Sequence, residues 1–156
     1  MLIIAIDTSG ALCSVTIIAN GIILSEKKTG MNRGHANTIM PMIQNALVES
    51  DIPLSEFGYV VTSTGPGSFT GLRIGMAAAK GLAISNDIPL IGISCFDAVA
   101  ERTNPQGSSL SYDVLVIALN SNREQLYVEC RAMDHTKLIS GTVIDSDIFY
   151  KKIKTI

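Results

Sequence analysis

Residues 63–83 read STGPGSFTGLRIGMAAAKGLA, with five glycines and only two charges. A glycine-rich turn leading into an alanine-rich helix can serve in two ways. It can cradle an anion on free N–H groups, or it can let another segment lie very close against the helix. Spacing argues against a standard phosphate loop. The pattern G-x-x-x-x-G-K-[ST] requires a glycine at 70, where Thr70 stands, and G-x-G-x-x-G fails because Gly65 and Gly67 are followed by Gly71. Anion binding at the helix start stays a minor reading.

The helix predicted over Phe69–Ser85 is more informative. On a 100° wheel Arg73 and Lys80 fall on nearly one line. Ile74, Ala77, Ala78, Gly81 and Ile84 lie on one side of it. Leu72, Gly75, Met76, Ala79, Leu82 and Ala83 lie on the other. A helix that covers only a sheet shows one apolar stripe and a broad polar face. Here two apolar faces both need cover. One packs on the sheet; the other meets a neighbouring helix, from this chain or from another molecule. Gly71, Gly75 and Ala79 flatten the second face for close approach, although glycine inside a helix costs about 1 kcal/mol relative to alanine.

Around this segment the pattern predicts an α/β chain. Leu2–Ile6 is a buried strand ending in the polar turn Asp7-Thr8-Ser9-Gly10. Cys13–Ala19 and Ile22–Glu26 flank Asn20-Gly21, the signature of a type I′ hairpin. A polar loop over 27–34 leads to a helix at His35–Glu49. Its apolar face is Ala36, Ile39, Met40, Ile43, Ala46 and Leu47, with Pro41 an awkward member. Tyr59–Thr64 and Leu90–Ser94 are strands, and Phe96–Arg102 is a short helix. Residues 1–103 therefore form a first lobe, β-β-β-α-β-α-β, with that helix at its end. Residues 104–112 are polar with proline and glycine, and read as a linker. The order then restarts. Asp113–Asn120, Gln125–Ala132 and Leu138–Ile144 are strands, and a helix begins at Ser146 or Asp147. This second lobe, 113–156, reads as β-β-β-α and as cut short.

Composition narrows the function classes. Hydrophobic residues make up 47% and charged residues 17% of the 156, with formal net charge −2, so there is material for a core and no basic face for nucleic acid. The densest basic run, Lys151, Lys152 and Lys154, reads as a solvated helix face. Cys13, Cys95 and Cys130 show no metal-like spacing and read as reduced core thiols of a cytosolic protein. The N-terminus lacks the basic segment of a signal peptide, and no apolar run is long enough to span a membrane.

MLIIAIDTSGALCSVTI, RGHANTIMPMI, STGPGSFTGLRIGMAAAKGLAI and PLIGIS, in this order and spacing, resemble the bacterial TsaB (YeaZ) family. The likeness is close over roughly residues 1–100, and the long GPGSFTGLRIG block is its most specific part. The resemblance implies the actin-like, sugar-kinase and heat-shock-chaperone fold. It implies a non-catalytic relative of TsaD, the subunit that forms threonylcarbamoyladenosine at the adenosine beside the anticodon of tRNAs reading codons that begin with A. It implies dimerisation, with itself or with TsaD, through the two helices of the first lobe. A TsaE-like ATPase joins that complex, and tRNA is reached only through it, in the cytoplasm. In this sequence the interface would fall on Ile39, Met42, Ile43, Gly71, Leu72, Gly75, Met76 and Ala79. ATP and a metal would belong to the partner subunit, with no cofactor held tightly by this chain.

The chemistry read from the residues agrees with a non-catalytic role. His35 is followed four residues on by Ile39, and the other histidine is His135, so no paired ligands stand on the first helix. No spacing suggests a catalytic triad or another nucleophile–base pair. Asp7, Thr8 and Ser9 resemble the first phosphate-contacting turn of the superfamily and motivate a second reading, an ATP-dependent small-molecule kinase. An ordinary turn capped by Asp and Ser is the preferred account of the same residues. Two departures from the family bear on nucleotide binding and TsaE recruitment rather than on dimerisation: Asn120-Ser121-Asn122-Arg123 replaces an Asp-Ala-Arg type of turn, and the second lobe is short.

Overall fold

The computed structural model describes residues 1–30, 35–103, 113–121, 124–132, 134 and 136–153. The linker read at 104–112, the turn residues Asn122 and Arg123, His135 and Lys154 lie outside them. Two compact units are present, Met1–Ser94 and Cys95–Ile156.

The first unit is built on a five-stranded sheet. β1 (Leu2–Asp7), β2 (Leu12–Ala19) and β3 (Ile22–Gly30) form an antiparallel run. β4 (Tyr59–Gly65) joins β1 in parallel, and β5 (Leu90–Ser94) joins β4 in parallel, giving the order β3-β2-β1-β4-β5. Asn20 and Gly21 both have positive φ, 50° and 84°, as the type I′ turn between β2 and β3 requires. β3 runs four residues beyond the predicted end at Glu26, because residues 27–30 continue the ladder opposite Leu12–Val15. Their polar side chains hid an edge strand behind a loop-like composition.

Register stacks the core in rows. Ile17, Ile4 and Val60 pair across one row, and Val15, Ile6 and Thr62 across the next. Ile4, Ile6, Val15, Ile17 and Val60 are all buried. Over this layer lie α1 (His35–Ser50) and α2 (Phe69–Asn86). α1 contributes Ile39, Met42, Ile43 and Ala46, and α2 contributes Ala79 and Ala83. Burying one such aliphatic side chain contributes about 1.5–3 kcal/mol.

The second unit is a three-stranded antiparallel sheet of β6 (Val114–Asn120), β7 (Gln125–Ala132) and β8 (Lys137–Asp145), in the order β6-β7-β8. α3 (Cys95–Thr103) places Phe96, Val99 and Ala100 over Leu115, Ile117, Leu119 and Tyr127. The sequence reading put this helix with the first lobe, next to its chain neighbour β5. Its apolar side instead closes the core of the second unit.

That core also buries charge. Glu129 and Arg131 share the α3 side of β7 and are 3% and 5% exposed. The Arg131 Nε donates to Glu129 Oε1 at 2.6 Å, and its Nη2 to Asp97 on α3 at 2.5 Å. Lys137 Nζ lies 3.5 Å from Glu129 Oε2. α4 (Ser146–Ile153) follows β8, and its first turn is capped by Asp145, whose carboxylate accepts from the N–H of Asp147 at 3.0 Å. Among the described residues no helix is long and apolar enough to cross a membrane.

Candidate functional site

The glycine segment makes a trough. Gly65, at φ 100°, turns the chain as only glycine does freely, and Ser68 caps α2 by accepting from the Gly71 N–H at 3.2 Å. Gly67, Gly71 and Gly75 then line one edge. A Cβ on any of them would fall inside 3.0 Å of the turn after β1: of the Ser9 carbonyl oxygen at Gly67, the Thr8 carbonyl oxygen at Gly71, and the Thr8 hydroxyl at Gly75. The Ser68 N–H donates to the Ser9 carbonyl at 2.7 Å, and the Thr8 hydroxyl donates to the Gly71 carbonyl at 2.7 Å. Thr8 is fully buried. So something does lie very close against this helix, and it is the chain's own Thr8–Ser9 turn.

This corrects the placement of the interface. Gly71 and Gly75 are covered by Thr8, and Ala79, Ile39, Met42 and Ile43 are buried in the core of the first unit. Leu72 and Met76 are half-buried. The small-residue stripe was read as the landing strip for a partner because a helical wheel shows that a face is flat, not what lies on it. A leucine at Gly75 would strike Thr8 and damage the fold rather than only an assembly.

The uncovered side of α2 runs along the exposed Arg73–Lys80 line, because Ile74 and Ala78 of the remaining flank pack against the core. Phe69 is 68% and Ile84 81% exposed, Ala77 and Gly81 are exposed, and a Cβ on Gly81 would meet nothing within 4 Å. The Arg73 guanidinium stacks 4.1 Å from the Phe69 ring centroid. On α1 the large hydrophobic side chains Met40, at 45%, and Val48, at 80%, are exposed. Both helices thus seal the core with one side and present apolar groups to solvent with the other. Ile84 stood in the sequence as one flank of the two-faced helix. Val48 lay outside the apolar face read for the first helix.

Asp7, Thr8 and Ser9 do come together at the end of β1, and they are occupied. The Thr8 hydroxyl and the Ser9 carbonyl are bonded to the glycine segment, and the Asp7 carboxylate accepts from the Ser9 N–H at 2.9 Å. This is the turn capped by its own side chain. The Thr8 hydroxyl is thus buried and turned onto the Gly71 carbonyl rather than outward. Cys13, on the adjacent strand, is buried; burial first, and then the Asp7 charge, push its thiol pKa up. Among the described residues no group of three or more His, Cys, Asp and Glu is placed to hold a metal ion.

The α1 end is pinned separately. The Glu49 carboxylate accepts from the Ser25 hydroxyl and pairs with Lys27 Nζ at 2.7 Å. The Lys27 hydrogen bond first, and then that of Ser25, hold its pKa below the usual carboxylate value.

Comparison with known proteins gives a consistent set. A family model described as TsaD, tRNA N6-adenosine threonylcarbamoyltransferase, matches residues 17–147. The tRNA threonylcarbamoyladenosine biosynthesis protein TsaB of Buchnera aphidicola subsp. Schizaphis graminum is 33% identical over 153 residues, 98% of this chain and 71% of its own length. The Escherichia coli protein of the same name is 38% identical over 101 residues, 65% of this chain, which spans only 43% of it. Among solved structures, YeaZ from Pseudomonas aeruginosa superposes with a TM-score of 0.77 at 26% identity, over 92% of this chain and 67% of that one. A Bacteroides thetaiotaomicron protein with an actin-like ATPase fold superposes with a TM-score of 0.51 at 12% identity, over 99% of this chain and 75% of that one, a likeness of fold alone.

Proposed function

The chain belongs to the TsaB family and has its actin-like fold, and from that premise we propose that it is a non-catalytic subunit in tRNA threonylcarbamoyladenosine formation. It dimerises with a TsaD-like transferase and supports it, with a TsaE-like ATPase as a further member of the assembly and a homodimer as the free form. ATP and a metal belong to the partner, and tRNA is reached only through the complex, in the cytoplasm. The chain's own contribution is to hold α1 and α2 rigidly against the sheet and offer their outer flanks.

The observation that carries this reading is the exposed apolar flank itself. Ile84 and Val48 are four-fifths exposed on helices whose opposite sides are fully packed. Isolated exposed apolar residues are ordinary, but Phe69, Ala77, Ile84, Met40 and Val48 recur on the two helices of one layer, as an interface core requires. Gly81 opens a shallow place where a partner side chain can sit. The kinase reading is the second one, and calorimetry with Mg-ATP discriminates it; the Thr8 hydroxyl of the turn that motivates it is bonded to the Gly71 carbonyl.

The test is co-elution of the purified chain with a TsaD subunit on size-exclusion chromatography, followed by titration calorimetry. Burying Ile84 is worth about 2 kcal/mol, so Ile84→Glu should weaken the complex by roughly thirtyfold or more while leaving the circular dichroism spectrum unchanged. No co-elution would overturn the partner assignment. A complex indifferent to Ile84→Glu and Val48→Glu would overturn the placement of the interface.

A further inference from the structure

The exposed side of α2 carries charge as well as apolar groups, and the charge is of one sign. Phe69, Arg73, Ala77, Lys80 and Ile84 are exposed and follow one another along the helix at three- and four-residue steps. Arg73 and Lys80 stand two helical turns apart, about 10 Å along the axis. α2 contains no aspartate or glutamate. α1 contains one, Glu49, and its carboxylate is engaged by Lys27 and by the Ser25 hydroxyl. Among the described residues neither Arg73 nor Lys80 forms a salt bridge; the Arg73 guanidinium lies on the Phe69 ring instead. The whole chain carries a formal charge of −2, so this surface departs from it in sign.

Covering the apolar groups of this stripe takes the two cations between them out of water. A cation removed from water without an opposite charge is costly. We propose that the partner covering α2 meets Arg73 and Lys80 with carboxylates at a matching two-turn spacing, and that this pairing favours a different, acidic protein surface over a second copy of this chain. The inference rests on the reading of α1 and α2 as an interface, and it adds the chemistry of the other side.

A second copy does not supply that match. Antiparallel α2 helices related by a two-fold set Arg73 against Lys80 when the axis lies midway between them. An axis at Lys80 brings Arg73 to Asp87, just past the helix, but then sets Lys80 against its own copy. α1 of the second copy offers only Glu49, already held by Lys27. Like charges at close range oppose association. The homodimer of the free chain is accordingly the weaker assembly. A nucleic acid also attracts cations, but Ala77, Gly81 and Ile84 stand between and beside these two, and apolar groups gain nothing from a phosphate backbone.

The experiment is titration calorimetry of the full chain against a TsaD subunit at increasing sodium chloride, with sedimentation of the free chain in parallel. Affinity should fall as salt rises. Arg73→Gln/Lys80→Gln should weaken the complex by roughly tenfold or more and remove most of that salt dependence. Both positions are exposed and glutamine is a good helix former, so the circular dichroism spectrum should not change. In the free chain the same two substitutions should strengthen self-association, because they remove like charges. A TsaD complex that keeps its affinity and salt response in the double variant would overturn this proposal and leave the interface reading standing. No complex at all would overturn both. Self-association weakened by the double substitution would also overturn it, since the cations would then serve a second copy. So would an electrophoretic shift of tRNA by the chain alone that the double variant loses, which would assign the cations to a phosphate backbone.

Discussion

The trough formed by Gly67, Gly71 and Gly75 makes a sharp energetic prediction at Gly75. In an open helix Gly→Ala stabilises by about 1 kcal/mol. At Gly75 the new methyl falls inside 3.0 Å of the Thr8 hydroxyl, which is buried and bonded to the Gly71 carbonyl at 2.7 Å. The hydroxyl cannot turn away without losing that bond, so overpacking of about 3 kcal/mol wins, and Gly75→Ala should destabilise by about 2 kcal/mol. Thr8→Ala alone loses the bond and a methyl, about 2 kcal/mol. In the double variant the nearest remaining groups are Thr8 Cβ at 3.5 Å and Thr62 Oγ1 at 3.6 Å, both ordinary contacts. The alanine then keeps its helical advantage, and the pair should cost about 1 kcal/mol, a coupling of about 3 kcal/mol. Urea denaturation of the full chain, followed by far-ultraviolet circular dichroism, measures all three. Gly81→Ala, whose Cβ meets nothing within 4 Å, is the internal control and should stabilise by about 1 kcal/mol. Additivity of Gly75→Ala and Thr8→Ala within about 0.5 kcal/mol, or a stabilising Gly75→Ala, would refute the trough.

Three further outcomes are expected. Arg131→Met leaves Glu129 buried without its guanidinium and should cost about 3 kcal/mol or more in urea, most of it recovered in Glu129→Gln/Arg131→Met, where no buried carboxylate remains. Glu49 has a depressed folded pKa, so its contribution is present above the ordinary carboxylate value of 4.5 and is lost as pH falls through the lower folded value. Glu49→Gln should therefore lower stability at neutral pH and converge with the parent chain in acid, as thermal melts across that window would show. Cys13, buried and with its thiol pKa raised, should resist alkylation until the first unit unfolds, whereas parallel labelling of folded and denatured chain would expose any early reaction.

Periodicity fixed what depends on neighbours along the chain. β7 was predicted residue for residue at Gln125–Ala132, because its apolar positions alternate without interruption. The Asn20-Gly21 turn and the α2 boundaries were equally legible, since each rests on a local conformational demand. Failures came where a distant segment decides. Residues 27–30 look like loop until their pairing with β2 is known. Glu129 and Arg131 occupy the polar side of an alternating strand, where exposure is the natural expectation, yet α3 covers that side and Asp97 completes the pairing. For the candidate site, the sequence showed that α2 has two apolar faces and that one is flat. It did not show that Thr8 and Ser9, some sixty residues earlier, fill the flat one.

That error has a physical lesson for the site. A run of small residues reports how near something comes, and close approach is most valuable where a backbone must be held in register, as the Thr8–Ser9 turn is by the Ser68 N–H and the Gly71 carbonyl. A partner protein that binds and leaves gains more from large side chains that bury area on contact. On that argument the proposed interface falls where Phe69, Ile84 and Val48 stand exposed, not where glycines are already filled. The two flanks of α2 then respond oppositely to the same chemistry. Added bulk at Gly75 is felt by the isolated chain. Added bulk at Gly81 leaves the isolated chain more stable and is felt only when a second protein comes to sit there.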